Sequence, residues 1–199
     1  PSAGEPAIPR NRHFRNAATG ESMTFPERIE TERLLLRWPT DADAEQIFVR
    51  YASDPVVTKY LTWAPHKTVD DTLTFLKWRR ESRGQFTWIV TPRAGGPLLG
   101  GIGCRRDQHI VQFGYCFARE AWGRGYATEA AREMVNCWLS EPTVWRVQAF
   151  CNPINLASAR VLEKCGLSLE GTLRRHALTP NFSNEPCDAL CYAIVRESQ

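Results

Sequence analysis

Residues 113–138, F-G-Y-C-F-A-R-E-A-W-G-R-G-Y-A-T-E-A-A-R-E-M-V-N-C-W, pass from an aromatic apolar run through a polar turn and a Gly-x-Gly into a segment rich in Ala and Glu. The pattern predicts a strand, an anion-binding turn and a helix. Gly123 and Gly125 lack a β-carbon, so the backbone there can adopt conformations closed to other residues and approach a ligand closely. The N–H groups of the helix's first turn, Gly125 to Thr128, have no partners within the helix and sit at the positive end of its dipole. A phosphate group satisfies both demands.

Two nucleotide motifs fail on the residues themselves. A P-loop needs Lys-Ser/Thr after its last glycine, where this chain has Tyr126 and Ala127. A Rossmann turn needs a third glycine and an acidic residue about twenty positions on, and neither is present. An ordinary strand-to-helix turn remains open for an isolated Gly-x-Gly; the other motifs of the chain argue against it.

Trp122 to Ala130, W-G-R-G-Y-A-T-E-A, resembles the acetyl-CoA turn of the GNAT superfamily of N-acetyltransferases: Arg or Gln, two residues, Gly, one residue, Gly or Ala. Gly125 and Ala127 fill the last two places; Trp122 replaces the Arg or Gln, which leaves a cradle of backbone N–H groups intact. Asn152 to Leu167, N-P-I-N-L-A-S-A-R-V-L-E-K-C-G-L, resembles the superfamily's strand-to-helix segment beside the acetyl-CoA arm. With T-E-R-L-L-L-R at Thr31 to Arg37, the chain is similar to the RimJ/RimL branch, the ribosomal-protein alanine N-acetyltransferases, over about residues 27 to 197.

The resemblance implies an α+β fold: one domain with a mixed central sheet of about seven strands, splayed between the fourth and fifth, and about four flanking helices. It implies acetyl-CoA as co-substrate, held by Phe117, Arg119, Trp122, Gly123, Arg124, Gly125, Tyr126, Ala127, Thr128 and Asn155, with the pantetheine arm bonding to backbone groups near Phe117 and Arg119. Many relatives place a Tyr on the second helix to protonate the leaving thiolate, but this chain has Leu162 there. Asn155, the position assigned a comparable role in this branch, with Ser158 one turn on and Tyr115, are the candidate catalytic residues; Asn155 is equally a helix N-cap. Neither strand of the splay carries a carboxylate, so the base is Tyr115, Glu170, Asp188 or a water chain, with Asp188 favoured as a structural partner. Glu129 and Glu133 read as a solvated or salt-bridged helix face.

The implied reaction is direct attack of an acceptor amine on the thioester in a ternary complex, the acceptor being a protein or peptide N-terminus ahead of a small-molecule amine. A catalytically silent acyl-CoA sensor is the alternative, and a nucleic-acid binder is supported only by the basic arm Arg10 to Arg15. The formal charge of +3 is spread along the chain, so it argues weakly for nucleic acid. Seven cysteines without a C-x-x-C pair read as small buried hydrophobes of a reducing, cytoplasmic compartment. Four scattered histidines offer no metal-ligand spacing, so no metal is expected, and no apolar run suggests a membrane span.

Along the chain, residues 1–24 have no apolar periodicity and read as a mobile arm before a domain at 25–199. Expected next are a strand over Ile29–Arg37, a helix from Thr40 or Asp41 to Tyr51, and a second from Thr68 to about Arg83. A hairpin then joins Phe86–Thr91 to Leu98–Arg105, with Gly100, Gly101 and Gly103 read as strand glycines against which another group packs. Tyr60, Trp63 and Trp78 lie where the resembling family builds its acceptor wall; each is also an aromatic that can anchor a helix on the sheet. The closing strands, Leu167–Ala177 and Ala189–Val195, often pair between subunits in this superfamily, which allows a homodimer.

Overall fold

The computed structural model describes residues 25–197, together with the backbone of Phe14–Arg15 and Ser22–Met23. Those two short segments, β1 (Phe14–Arg15) and β2 (Ser22–Met23), pair antiparallel with each other. The rest of the expected arm lies outside the described residues.

The main sheet has eight strands, in the order β3-β4-β5-β6-β7-β8-β10-β9. These are β3 (Arg28–Glu30), β4 (Leu34–Arg37), β5 (Gln85–Pro92), β6 (Gly100–Asp107), β7 (Ile110–Phe117), β8 (Arg146–Cys151), β9 (Ser168–Ala177) and β10 (Cys187–Val195). All neighbours are antiparallel except β7 and β8. The expected single strand over Ile29–Arg37 is two strands joined by a turn, with the Thr31 N–H donating to the Leu34 carbonyl at 2.9 Å. That turn raises the expected seven strands to eight.

Helix α3 (Tyr126–Ser140) buries Ala130, Ala131, Met134, Val135 and Trp138 against the sheet, the i, i+4 and i+8 spacing that puts apolar residues on one face. Trp138 meets Trp88 and Phe113 in that core, with ring centroids 6.4 and 5.2 Å apart. Helix α4 (Leu156–Lys164) covers the neighbouring strands through Ala159 and Leu162. Its stop is Gly166, at φ +89°, where the Gly166 and Leu167 N–H groups bond back to the Glu163 and Leu162 carbonyls at 3.0 and 3.2 Å.

On the other face lie α1 (Ala44–Ile47) and α2 (Val69–Glu81) around a second apolar cluster that includes Ile47, Tyr51, Leu76 and Ile89. The expected continuous helix from Thr40 to Tyr51 is a composite: a 3-10 turn at Asp41–Asp43, then α1, then a π turn at Phe48–Ala52. Helix α2 starts on Thr68, whose hydroxyl accepts from the Asp71 N–H at 3.3 Å while Asp71 accepts from the Thr68 N–H at 3.0 Å.

The β6 glycines are demanded by close approach. A β-carbon on Gly100 would lie 2.4 Å from the Cys116 carbonyl oxygen, and one on Gly103 would lie 2.5 Å from the Arg79 guanidinium. Gly100 thus lets β6 press directly on the end of β7.

Candidate active site

Strands β7 and β8 pair in parallel over four residues only, from Ile110 opposite Arg146 to Phe113 opposite Ala149. Beyond that point β7 continues through Gly114–Phe117, while β8 has only Phe150 and Cys151 left. The expected splay falls between these strands. The register with β6 places Phe117 opposite Gly100, and the Ala118 N–H donates to the Leu99 carbonyl at 2.9 Å. Antiparallel alternation then turns the N–H and C=O groups of Tyr115 and Phe117 toward β8, none of whose residues is paired with them.

The gap opens into a cleft of about 620 Å³. One end is the Gly-x-Gly turn. Gly123 and Gly125 have φ of +72° and +77°, conformations that side-chain-bearing residues rarely take. The first helical bond of α3 runs from the Glu129 N–H to the Gly125 carbonyl at 2.9 Å, so the N–H groups of Tyr126, Ala127 and Thr128 have no acceptor inside the helix. All three residues line the cleft. A β-carbon on Gly123 would meet nothing within 4 Å, which leaves room for an anion against the backbone. The turn therefore fits the phosphates of a CoA ester on its own geometry.

Trp122, which stands in the place of an Arg or Gln, has a definite task. Its indole N–H donates to the Phe117 carbonyl at 2.7 Å, folding the turn back on the end of β7. The Arg119 carbonyl accepts from the Trp122 N–H at 3.0 Å. Both carbonyls near the expected arm are thereby engaged, and what Phe117 still offers the gap is its N–H. The Arg119 side chain turns away and pairs with Asp54 at 2.6 Å. The Arg124 side chain is exposed, and its carbonyl accepts from the Arg33 guanidinium at 3.1 Å.

The three candidate catalytic residues come together. The Tyr115 hydroxyl lies 3.0 Å from the Ser158 hydroxyl and 3.2 Å from the Ser158 carbonyl. The Asn155 side-chain oxygen accepts from the Ser158 N–H at 3.2 Å, so Asn155 is the cap of α4. Burial pushes the Tyr115 phenol well above its ordinary range, against the opposing bond from Ser158, so it stays protonated at neutral pH. The Cys116 thiol is pushed up to about 12 by burial and is no nucleophile. Leu162 is buried in the core and supplies no acid.

The other base candidates are elsewhere. Glu170 pairs with Arg146 at the start of β8, Asp188 accepts from the Arg175 N–H at 2.9 Å, and neither carboxylate lines the cleft. Glu129 is the salt-bridged residue: its carboxylate takes the Thr31 hydroxyl at 2.6 Å, the Arg33 N–H at 2.9 Å and the Arg33 guanidinium at 2.6 Å. Of the three aromatics, Tyr60 lines the cleft; Trp63 instead packs on His66 and Phe75. Trp78 is 51 % exposed beside Phe75, so it does not anchor α2 on the sheet. Sequence reasoning missed Asn181 and Phe182, which hold the cleft's far wall from the β9–β10 loop; only their place among aromatic and polar loop residues hinted at it.

Among the described residues no cluster of His, Cys, Asp and Glu suits a metal ion, and no helix is long and apolar enough to cross a membrane. Residues 33–168 match the family described as Acetyltransferase (GNAT) domain. The N-acetyltransferase YoaA of Bacillus subtilis, itself uncharacterized, is 31 % identical over 175 residues, covering 84 % of this chain and 96 % of its own. A GNAT-family acetyltransferase of Bacillus anthracis superposes with a TM-score of 0.75 at 30 % identity, over 84 % of this chain and 98 % of its own. The ribosomal L7/L12 α-N-protein acetyltransferase RimL, solved with coenzyme A, shares the fold with a TM-score of 0.73 at 14 % identity, over 86 % of this chain and 97 % of its own. The chain belongs to the GNAT family of acetyl-CoA-dependent N-acetyltransferases.

Proposed function

We propose that this protein is of the RimJ/RimL type and acetylates an α-amine, a protein or peptide N-terminus ahead of a small-molecule amine. The observation that carries the reading is the cleft itself: an open backbone edge at Tyr115–Phe117, ending in the N–H groups of α3, with no carboxylate among its described lining residues. An α-amine titrates near 7.7 to 8.0, so water suffices to take its proton, whereas a lysine side chain near 10.4 calls for a stronger base. The T-E-R and G-Y-A-T-E-A motifs, which carry the likeness to this branch, meet through the Glu129 carboxylate.

In this reading the amine nitrogen forms a bond to the acetyl carbon, the carbon–sulfur bond breaks, the amine proton leaves to water and the thiolate takes a proton. The Phe117 N–H faces the oxyanion. The Ser158 hydroxyl, oriented by Tyr115 and by the Asn155 cap, donates toward the departing sulfur. Residues 1–24 serve as an arm, the protein works in the cytoplasm, and two copies pair through the edge strand β9.

Thermal unfolding with acetyl-CoA, CoA and ATP is the test. Saturation at a hundredfold excess over Kd stabilises by about 2.7 kcal/mol. The expected result is a rise with acetyl-CoA and CoA, none with ATP, and loss of the rise in Gly125→Glu. A peptide bearing a free N-terminus is then acetylated; binding of acetyl-CoA without transfer to any amine would leave the sensor instead.

A further inference from the structure

One wall of the cleft is built by the loop after the π turn, and it carries a cation that has no ionic partner among the described residues. Lys59, Tyr60 and Leu61 line the cleft there. This loop is held in place: the Asn181 side-chain amide donates to the Thr58 and Trp63 carbonyls at 2.8 Å each, and the Tyr60 ring lies 5.4 Å from that of Phe182. The Lys59 ammonium sits 5.1 Å from the Tyr60 ring centre and 5.7 Å from that of Phe182. It makes no ion pair among the described residues. Aromatic faces orient an ammonium without neutralising it.

The lining is one-sided in charge. Among the described residues it contains Lys59, Arg160 and Lys164 but no Asp or Glu. Arg160 and Lys164 belong to α4, on the wall that adjoins the splayed strands; Lys59 stands on the other wall, in the loop braced by the β9–β10 connection. A polycationic amine entering here meets like charge with no carboxylate to offset it, whereas an anionic group near the reacting nitrogen meets Lys59.

We propose that Lys59 determines acceptor specificity: the cleft takes an amine carrying an anionic group a few bonds from the reacting nitrogen and rejects amines carrying a second cation. This rests on the acetyl-transfer reading of the same cleft. An acidic residue second in a peptide and the carboxylate of a small amino acid present the same chemistry.

Three amides with the same reacting amine, alanyl-glutamate amide, alanyl-glutamine amide and alanyl-lysine amide, isolate the charge. Each is titrated into the CoA-saturated protein and assayed for acetyl transfer. The glutamate compound is expected to bind about tenfold more tightly than the glutamine one, as one charge-assisted hydrogen bond provides, and the lysine compound most weakly. Lys59→Gln removes the difference between glutamate and glutamine, and Lys59→Glu inverts the order, while the Kd for acetyl-CoA stays unchanged. β-Alanine as a fourth acceptor separates a small-molecule source from a peptide. A charge preference that survives in Lys59→Gln overturns the proposal, as does a wild type that binds all three alike, or a Lys59→Gln variant whose loss falls on acetyl-CoA. Wild type that fails to bind acetyl-CoA sinks the transfer reading itself; intact acetyl-CoA binding without charge preference sinks only the role of Lys59.

Discussion

The Glu129 carboxylate and the Arg33 guanidinium meet at 2.6 Å, joining the helix behind the glycine turn to the turn between β3 and β4. The same guanidinium also reaches the Arg124 carbonyl at 3.1 Å and lies 4.8 Å from the centre of the Tyr126 ring. One arginine thus braces the glycine turn at Arg124 and the first turn of α3 at Tyr126 and Glu129.

That brace makes stability depend on acidity. Burial works to raise the Glu129 pKa, but the Thr31 hydroxyl, the Arg33 N–H and the Arg33 guanidinium outweigh it and hold the carboxyl below its usual range. A group with a depressed folded pKa contributes above its unfolded value and loses that contribution as pH falls through the folded one. Glu129→Gln is expected to cost about 1–2 kcal/mol at pH 7, after discounting for the half-exposed arginine, and the gap to wild type should close below about pH 4. Denaturant melts across that range check it; a gap independent of pH would refute the ionic account.

Gly125→Ala places a side chain at φ +77° and sets its β-carbon 3.4 Å from the Arg33 guanidinium. The left-handed conformation costs about 1–2 kcal/mol for such a residue. Acetyl-CoA affinity is expected to fall as well, because the cost is met by rotating the N–H groups that the turn presents. Calorimetric titration with CoA measures this directly.

Gly100→Ala is expected to be more damaging to the fold than any change in the turn. The added carbon would lie 2.4 Å from the Cys116 carbonyl oxygen and 2.7 Å from the Phe117 ring, and neither can withdraw. Overpacking of this kind costs about 1–3 kcal/mol. The observable is a lowered Tm accompanied by weakened CoA binding, since the displaced strand end carries the Phe117 N–H.

Tyr115→Phe removes the hydroxyl that holds Ser158, at a cost of about 1 kcal/mol in stability. Because burial keeps the phenol protonated, its loss should lower kcat without moving the alkaline limb of the pH–rate profile. A shifted limb would instead make Tyr115 a titrating base.

Asn181→Ala deletes both bonds to the loop that carries Lys59, each 2.8 Å in length. A rise in acceptor KM of about threefold to tenfold is expected, with KM for acetyl-CoA unchanged, in keeping with a loss of about 1 kcal/mol of loop order. Parallel changes in both constants would place the loop on the donor side.

The two strand-turn-helix units were legible because their signals are local: glycine at positive φ, Asn155 as a cap, and apolar spacing along α3 and α4. The turn at Thr31–Arg33 was not, because it contains neither glycine nor proline and is fastened by a carboxylate some hundred residues away. Trp122 was legible as a departure but not as a donor to Phe117, since that bond depends on how the turn folds back. The far wall of the cleft is assembled from two loops that meet each other only through long-range contacts, so Tyr60 could be named as a candidate while its partners Asn181 and Phe182 could not.

The early end of the β7–β8 ladder gives the molecule an edge in the middle of a sheet. An outer edge invites any passing strand, with the hazard of aggregation. This inner one is flanked by β7 on one side and by β8 with α4 on the other, so it admits a single slim chain and no second sheet. What it presents to a ligand is main-chain groups, which every residue possesses. Selection for new acceptors can therefore proceed on the opposite wall without disturbing that edge.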